Sequence, residues 1–397
     1  MISLVHFKNT YLILFFSICF PLTSCAQNTT KIKVAAAQTE RYVKLLKGKN
    51  IAVVANQTSV IELRIKNQEP RHLVDSLLSL GISVKKVFAP EHGFRGKADA
   101  GEVVKDGFDT KTGLPIISLY GKNKKPSATQ LLGIDLVVFD IQDVGARFYT
   151  YISSLHYVME AAAEAGISVV ILDRPNPNGH YIDGPILELE HKSFVGMHPV
   201  PLVYGMTIGE YGQMINGEKW LKNGIQCDLT VIPLKNYTHN SEYSLAIRPS
   251  PNLPNDKSIN LYPSLGFFEG TIINAGRGTE FQFQRYGAPF FTKSDFRYTP
   301  KPNFGSKYPK HKGKLSYGVD LSNTERLSSV NLKWLIDAYQ QTPKTEKFFG
   351  KSFTIHAGNT KLQKQMEQGL TAKEIRKSWQ KELNIFKKIR KQYLIYK

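Results

Sequence analysis

A chain of 397 residues with 42% hydrophobic and 21% charged side chains has material for two domains of ordinary size and a substantial core, which excludes both a disordered chain and a multi-spanning membrane protein. The formal net charge of +19 invites a nucleic-acid reading, but the basic residues are spread along the chain and thicken toward its C-terminus without interleaved aromatic or zinc-finger patterning. Nucleic acid is therefore not expected as a partner.

The first expected element is an export signal over residues 1–25. Lys8 precedes an apolar stretch at 11–20 that is too short to span a bilayer, and Leu22-Thr23-Ser24-Cys25 follows in the form of a bacterial lipobox. On this reading Cys25 is lipidated and anchors an exported, periplasm-facing domain to a membrane; the alternative is plain secretory cleavage near Ala26. Residues 26–45 are then tether and lead-in. Of the three cysteines only Cys227 stays unmodified in the mature chain, so no internal disulfide is expected, and its place ahead of a strand-like run reads as packing.

Residues 51–55 read as a buried first strand ending in the polar group Asn56-Gln57-Thr58-Ser59. An amphipathic helix follows at 70–80, stopped by Gly81, and a second strand at 82–88 enters the turn Pro90-Glu91-His92-Gly93-Phe94-Arg95-Gly96. A strand-like run at 114–120 and a short helix at 128–132 lead to a strand at 134–139, which ends in Asp140-Ile141-Gln142-Asp143-Val144-Gly145-Ala146-Arg147. A helix is expected at 153–165 with its cap at Ser153 or Ser154, then a strand at 167–172 ending in Asp173-Arg174-Pro175-Asn176. After an irregular region to 201 come a helix at 207–221 and a last strand at 229–233. This alternation implies parallel strands joined by crossovers, a Rossmann-like α/β domain over 46–235 with a smaller α+β domain over 236–397. In the second part, 261–271 reads as a short helix, 352–356 as a strand, and 332–339 and 372–393 as amphipathic helices.

In an open parallel sheet ligands sit beyond the carboxyl ends of the strands, so the working site is Glu91 with Asp140, Gln142, Asp143, Asp173 and Arg174. The aromatic group Phe148-Tyr149-Thr150-Tyr151 either lines a sugar site or packs helix to sheet. Competing chemistries lack their signatures. Ser83 and Lys86 match a serine-lysine pattern but lie three apart on a strand, hence on opposite faces, and no Gly-x-Ser-x-Gly elbow is present. His92, His156, His180 and His198 lack zincin spacing, Gly276-Arg277-Gly278-Thr279 lacks a Walker lysine, and no Gly-x-Gly-x-x-Gly follows the first strand, so neither metal nor cofactor is expected. Carboxylates, amides, arginines and aromatic residues on an exported protein are the inventory of a carbohydrate-active site. Glycosidic cleavage needs one protonated carboxyl group and a second group for the electrophilic carbon. Glu91, in a turn that can desolvate it, is the acid candidate; its plainer role is an ion pair with Arg95.

These motifs resemble the exo-acting β-N-acetylmuramidases of peptidoglycan turnover. The resemblance runs over nearly the whole mature chain, through Val53-Val54-Ala55-Asn56-Gln57-Thr58, the Glu91 turn, the stretch from Asp140 to Tyr151, Asp173-Arg174-Pro175-Asn176-Pro177, Phe268-Glu269-Gly270-Thr271 and the Arg277 loop. It implies a Rossmann-like catalytic domain and a smaller domain with the cleft between them. It also implies release of terminal N-acetylmuramic acid from the non-reducing end of peptidoglycan fragments, and Glu91 as the catalytic carboxylate. The second group is Glu269 or Asp143, and Glu280 falls outside the motif. Arg95, Arg147, Arg174 and Arg277 are candidates for the lactyl carboxylate of the sugar. Asn56, His92, Asp140, Gln142, Tyr149, Tyr151, Asp173 and Asn176 complete the expected substrate-binding set. Enzyme nucleophile, substrate assistance by the 2-acetamido group and inversion all remain open. The other readings are a non-catalytic lipoprotein that binds muropeptides or glycans, and an amidase or esterase acting on the same polymer.

Overall fold

Alternation along the central strands sends their side chains to two cores. In β1 (Ile51–Ala55), Ala52 and Val54 enter the larger apolar cluster while Ile51, Val53 and Ala55 enter a second one on the opposite face. Both faces are covered, which is why the run is apolar throughout rather than alternating with polar residues. A computed structural model describes residues 31–62, 70–95, 105–291 and 294–396. The expected export signal, Cys25 and Gly96 lie outside the described residues.

The strands of the central sheet, in chain order, are β1, β2 (Val84–Ala89), β3 (Gly107–Phe108), β4 (Pro115–Ser118), β5 (Leu136–Asp140), β6 (Ser168–Leu172) and β7 (Leu229–Ile232). They lie in the order β7-β6-β5-β1-β2-β4-β3, parallel except for the edge strand β3. Helices α1 (Thr39–Leu46) and α2 (Leu73–Ser79) cover one face with Tyr42, Leu46, Leu73, Val74 and Leu77. After α3 (Ala128–Leu131), helices α4 (Tyr151–Glu164) and α5 (Ile208–Gly217) cover the other, with Leu155, Met159, Tyr211 and Met214 fully buried. Thr207 caps α5 through a reciprocal pair of bonds with Glu210, as the Thr-x-x-Glu spacing dictates.

The chain moves outward from β1 to β2 and β4, then returns to the other side of β1 with β5. This reversal opens a crevice beyond the carboxyl ends of β1 and β5, where an open α/β sheet binds its ligand. Asn56 and Asp140 stand at that point.

Beyond α6 (Asp256–Leu265) the chain forms a three-stranded antiparallel sheet from 285–288, 316–320 and 297–298, followed by helices. This α+β part shares the larger apolar cluster with α4 and α5, and Ile32 to Lys397 forms one compact unit.

Four local expectations are corrected. Residues 352–356 are helical (Phe353–Ala357), with Gly358 closing the turn at φ 81°. The expected irregular stretch contains a two-stranded antiparallel sheet, Asp183–Ile186 with Pro201–Val203. Helix α4 begins at Tyr151, so Ser153 and Ser154 lie inside it rather than capping it. The basic C-terminal helix is broken at Trp379 into Ala372–Ser378 and Gln380–Arg390.

Candidate active site

The turn after β2 is held in a backbone conformation that sequence rarely tolerates. His92 (φ 72°) and Gly93 (φ 76°) are consecutive left-handed residues, and the Gly93 amide donates to the Pro90 carbonyl at 3.0 Å. Glycine adopts this without cost, whereas histidine gives up of order 1 kcal/mol, a strain that persists where the surroundings fix the loop. They do so through Phe94 and Arg95. Phe94 is buried edge-on against the His72 ring, and the Arg95 guanidinium lies 4.3 Å over Phe94 while forking onto Asp109 at 3.1 and 2.7 Å. Arg95 thus turns away from Glu91 and anchors the far end of the turn.

The Glu91 carboxylate accepts a hydrogen bond from Thr150 Oγ1 at 2.7 Å, at the N-terminal end of α4. Behind it, Asn56 Nδ2 donates to the Tyr151 hydroxyl at 2.9 Å, and the Tyr149 and Tyr151 rings meet edge-on at 4.8 Å. Burial, then the charge and hydrogen bond of Glu91, push the Tyr120 phenol far up. Tyr262 of α6 continues the aromatic wall, 6.1 Å from Tyr149 and 5.0 Å from Phe148. Its phenol is driven up by burial, then by the charges of Glu269 and Glu91. Tyr262 therefore joins the turn after β2 to the second part of the chain.

Glu269 sits on a tight turn of helix after α6, a quarter exposed, and accepts from Arg277 Nη1 at 2.7 Å. Lys310 Nζ donates to the carbonyls of Phe268 and Glu269 at 2.6 and 3.2 Å. Burial raises the Glu269 carboxyl, but Arg277 and Lys310 outweigh it and hold the group below its usual range, hence ionised. Glu269, Arg277 and Lys310 line a cavity of about 200 Å³ with Tyr308 at its rim.

Asp143 is placed differently. Its Oδ2 accepts from the Gly145 amide at 2.8 Å and from the Tyr204 hydroxyl, while Oδ1 is buried without a partner. Burial pushes its pKa up to about 6 against those hydrogen bonds. Gly145 (φ 75°) is required here, since a Cβ would lie 2.4 Å from Asn176 Oδ1.

The remaining expected residues hold the strand ends. Arg174 forks onto Asp140 at 2.5 and 2.9 Å in a pair with almost no exposure. Asp173 accepts from Thr207 Oγ1, the Gly209 amide and Tyr396, and burial pushes it up to about 6. Gln142 Nε2 bonds the carbonyls of Asp143 and Pro175, and Asn176 Nδ2 that of Met206. Arg147 is fully buried, its guanidinium donating to the carbonyls of Pro185, Val200, His356 and Ala357 at 2.6 to 3.1 Å, and burial lowers its pKa to about 9. His92 is buried. The structure thus gathers Glu91, Asn56, Tyr149 and Tyr151 with Glu269 and Arg277 around Tyr262, and puts Arg95, Arg147, Arg174, Asp140, Asp173, Gln142 and Asn176 in supporting bonds. Thr150, Tyr120, Tyr262 and Lys310 were not singled out from sequence. Thr150 lies inside a quoted motif; nothing in the sequence marks Lys310.

Two family models cover this frame, the N-terminal domain of the exo-β-N-acetylmuramidase NamZ over residues 51–257 and its C-terminal domain over 260–396. The peptidoglycan β-N-acetylmuramidase NamZ of Bacillus subtilis is 40% identical over 380 residues, covering 89% of each chain. Crystal structures of two DUF1343 family proteins from Bacteroides fragilis superpose with TM-scores of 0.84 and 0.80, at 44% and 27% identity, covering 93% and 92% of this chain and 99% of each of theirs. With both models matched in order, and with the sheet and the two carboxylate-bearing turns built from the matched segments, the chain belongs to the exo-β-N-acetylmuramidase NamZ family.

Proposed function

We infer that the chain is an exo-acting glycoside hydrolase that releases terminal N-acetylmuramic acid from the non-reducing end of peptidoglycan fragments during cell-wall turnover. The observation that carries this reading is the family match across both parts of the chain, together with 40% identity to a peptidoglycan β-N-acetylmuramidase. The geometry supports a division of labour. Glu91, at the end of β2 and bonded to Thr150, is the group to protonate the glycosidic oxygen as the bond to the departing sugar breaks. Glu269 is held anionic by Arg277 and faces a cavity, which suits it to the electrophilic side of the reaction: attacking the anomeric carbon, holding water, or orienting the acetamido group. Asp143, the other candidate, is enclosed by Tyr204 and Gly145 and is not among the residues lining the Glu269 cavity. Arg277 is the cation best placed for the lactyl carboxylate.

The test is release of free N-acetylmuramic acid from a muramic acid–glucosamine disaccharide. Glu91→Gln is expected to keep the melting temperature of the parent and lose at least about a hundredfold in kcat, the scale of general acid catalysis. Intact disaccharide with folded wild-type protein would assign the chain to glycan binding without cleavage instead.

We further propose that the enzyme is exported and lipidated at Cys25, on the support of the lipobox. Cys25→Ser is expected to move the protein from the membrane to the soluble fraction of cells; unchanged fractionation would refute the anchor.

A further inference from the structure

The segment 301–314, Lys-Pro-Asn-Phe-Gly-Ser-Lys-Tyr-Pro-Lys-His-Lys-Gly-Lys, contains five lysines and no acidic residue. It is built as a fixed rim to the Glu269 cavity. Asn303 and Ser306 exchange backbone hydrogen bonds at 3.1 Å, and the Gly305 carbonyl accepts from Arg277 Nη2 and Asn252 Nδ2 at 3.1 and 2.6 Å. The Lys301 amide donates to Gly278, next to Arg277, at 2.8 Å, and Lys310 reaches beneath Glu269.

A loop tied at so many points still leaves two large rings in solvent. Tyr308 is 87% exposed and Phe304 55%. Tyr308 nevertheless lines the same cavity as Glu269 and Arg277, and Lys312 Nζ lies 6.0 Å from its ring centroid. Aromatic rings gain by covering apolar surface, so a ring held out at the mouth of a site is set for something that arrives there. The arriving molecule is defined by the reaction. An exo-acting enzyme encloses the terminal sugar and leaves its pocket open where the rest of the glycan departs. Exposed groups at the mouth therefore meet leaving-side sugars. In this polymer every second sugar carries a lactyl carboxylate, free or extended by a peptide that itself bears carboxylates, which matches the one-signed charge of the rim.

We propose that Tyr308, with Lys312 beside its ring, is a docking platform for the third and later sugars of the glycan, Tyr308 stacking on a pyranose face and Lys312 drawing in a carboxylate. The proposal rests on the exo-muramidase reading above and adds a preference for chain length to it.

The experiment compares kcat/KM for release of N-acetylmuramic acid from the disaccharide and from the tetrasaccharide with two muramic acid–glucosamine repeats. Wild type, Tyr308→Ala and Tyr308→Trp are measured, each checked for an unchanged melting temperature. The expected tetrasaccharide-to-disaccharide ratio is about ten in wild type, the size of one stacked face. It falls to near one in Tyr308→Ala and is retained in Tyr308→Trp. A ratio near one in wild type, or an equal ratio in wild type and Tyr308→Ala, overturns the platform. Calorimetry of tetrasaccharide binding to the Glu91→Gln protein, with and without Tyr308→Ala, separates this proposal from the one it rests on. If wild type releases nothing, the muramidase reading fails; about tenfold weaker tetrasaccharide binding on adding Tyr308→Ala then keeps the platform, and equal binding overturns it. Weakened binding of polyglutamate with unchanged tetrasaccharide binding would make the rim a surface for anionic polymers and also overturns it.

Discussion

Thr150 stands where a threonine normally caps a helix, and it does something else. The N-terminal end of α4 has no side-chain cap, since the Thr150 backbone is itself helical (φ −72°, ψ −4°), and the Thr150 hydroxyl donates to Glu91 at 2.7 Å. A missing cap costs about 1 kcal/mol of stability. A hydrogen bond to a charged group contributes about 1.5–3 kcal/mol, more than the absent cap would. Thr150 is thus a positioning residue, and its removal should appear in turnover before stability. Thr150→Val is expected to lower kcat for disaccharide cleavage by tenfold or more, as that range of energies implies, with KM and melting temperature near those of the parent and Thr150→Ser restoring the rate. A loss confined to KM, or a fall in melting temperature that Thr150→Ser fails to restore, would show that the hydroxyl supports the substrate pocket or the helix rather than Glu91.

At the scale of elements, the strands that carry the site were legible because a doubly covered parallel sheet leaves a clear mark: short apolar runs, those at β2, β5 and β6 leading into charged groups. The runs at β1, β2, β5, β6 and β7 are read from that mark alone, and the turns bearing Glu91, Asp143 and Asp173 follow from it. The helix expected at 207–221 is present as α5, which ends earlier, at Gly217. The misreadings have tertiary causes. Phe353-Thr354-Ile355 has strand-like composition, but a helical turn there brings Phe353 against Gly270, where a Cβ would meet the Phe353 backbone at 2.5 Å. Arginine roles were equally hidden. Arg147 and Arg277 lie in similar glycine-bearing loops, yet one clamps four backbone carbonyls in the core and the other meets a carboxylate at a cavity. Sequence shows that a guanidinium is present, while its partners come from segments as far as 210 residues away. The resemblance pointed to Glu91 and Glu269, and the structure adds that the charges of both bear on the buried Tyr262 phenol of α6.

For the whole molecule, the decisive fact is that the larger apolar cluster ignores the division into two family domains. Phe148, Tyr151, Leu155 and Met159 from the first belong to the same cluster as Phe267, Phe268, Tyr286 and Phe353 from the second. Polar ties run the same way, since Arg147 bonds carbonyls of both parts and Tyr396, near the C-terminus, donates to Asp173 at the end of β6. Fully burying a side chain such as Phe or Leu contributes roughly 1.5–3 kcal/mol, so separating the parts would forfeit an amount comparable with the 5–15 kcal/mol by which a typical domain is stable. The two parts should therefore not unfold independently, although a chain this long ordinarily departs from two-state behaviour. Scanning calorimetry of residues 32–397 is expected to give one transition with matching calorimetric and van't Hoff enthalpies, and residues 32–257 alone are expected to show no cooperative melting. Two resolved transitions, or a folded fragment, would mean that the shared cluster is a docking surface between self-sufficient domains. The distinction bears on catalysis, because Glu91 and Glu269 belong to different family domains. If it melts as one body, both carboxylates are held by one shared core; if it parts, they belong to separately folded domains.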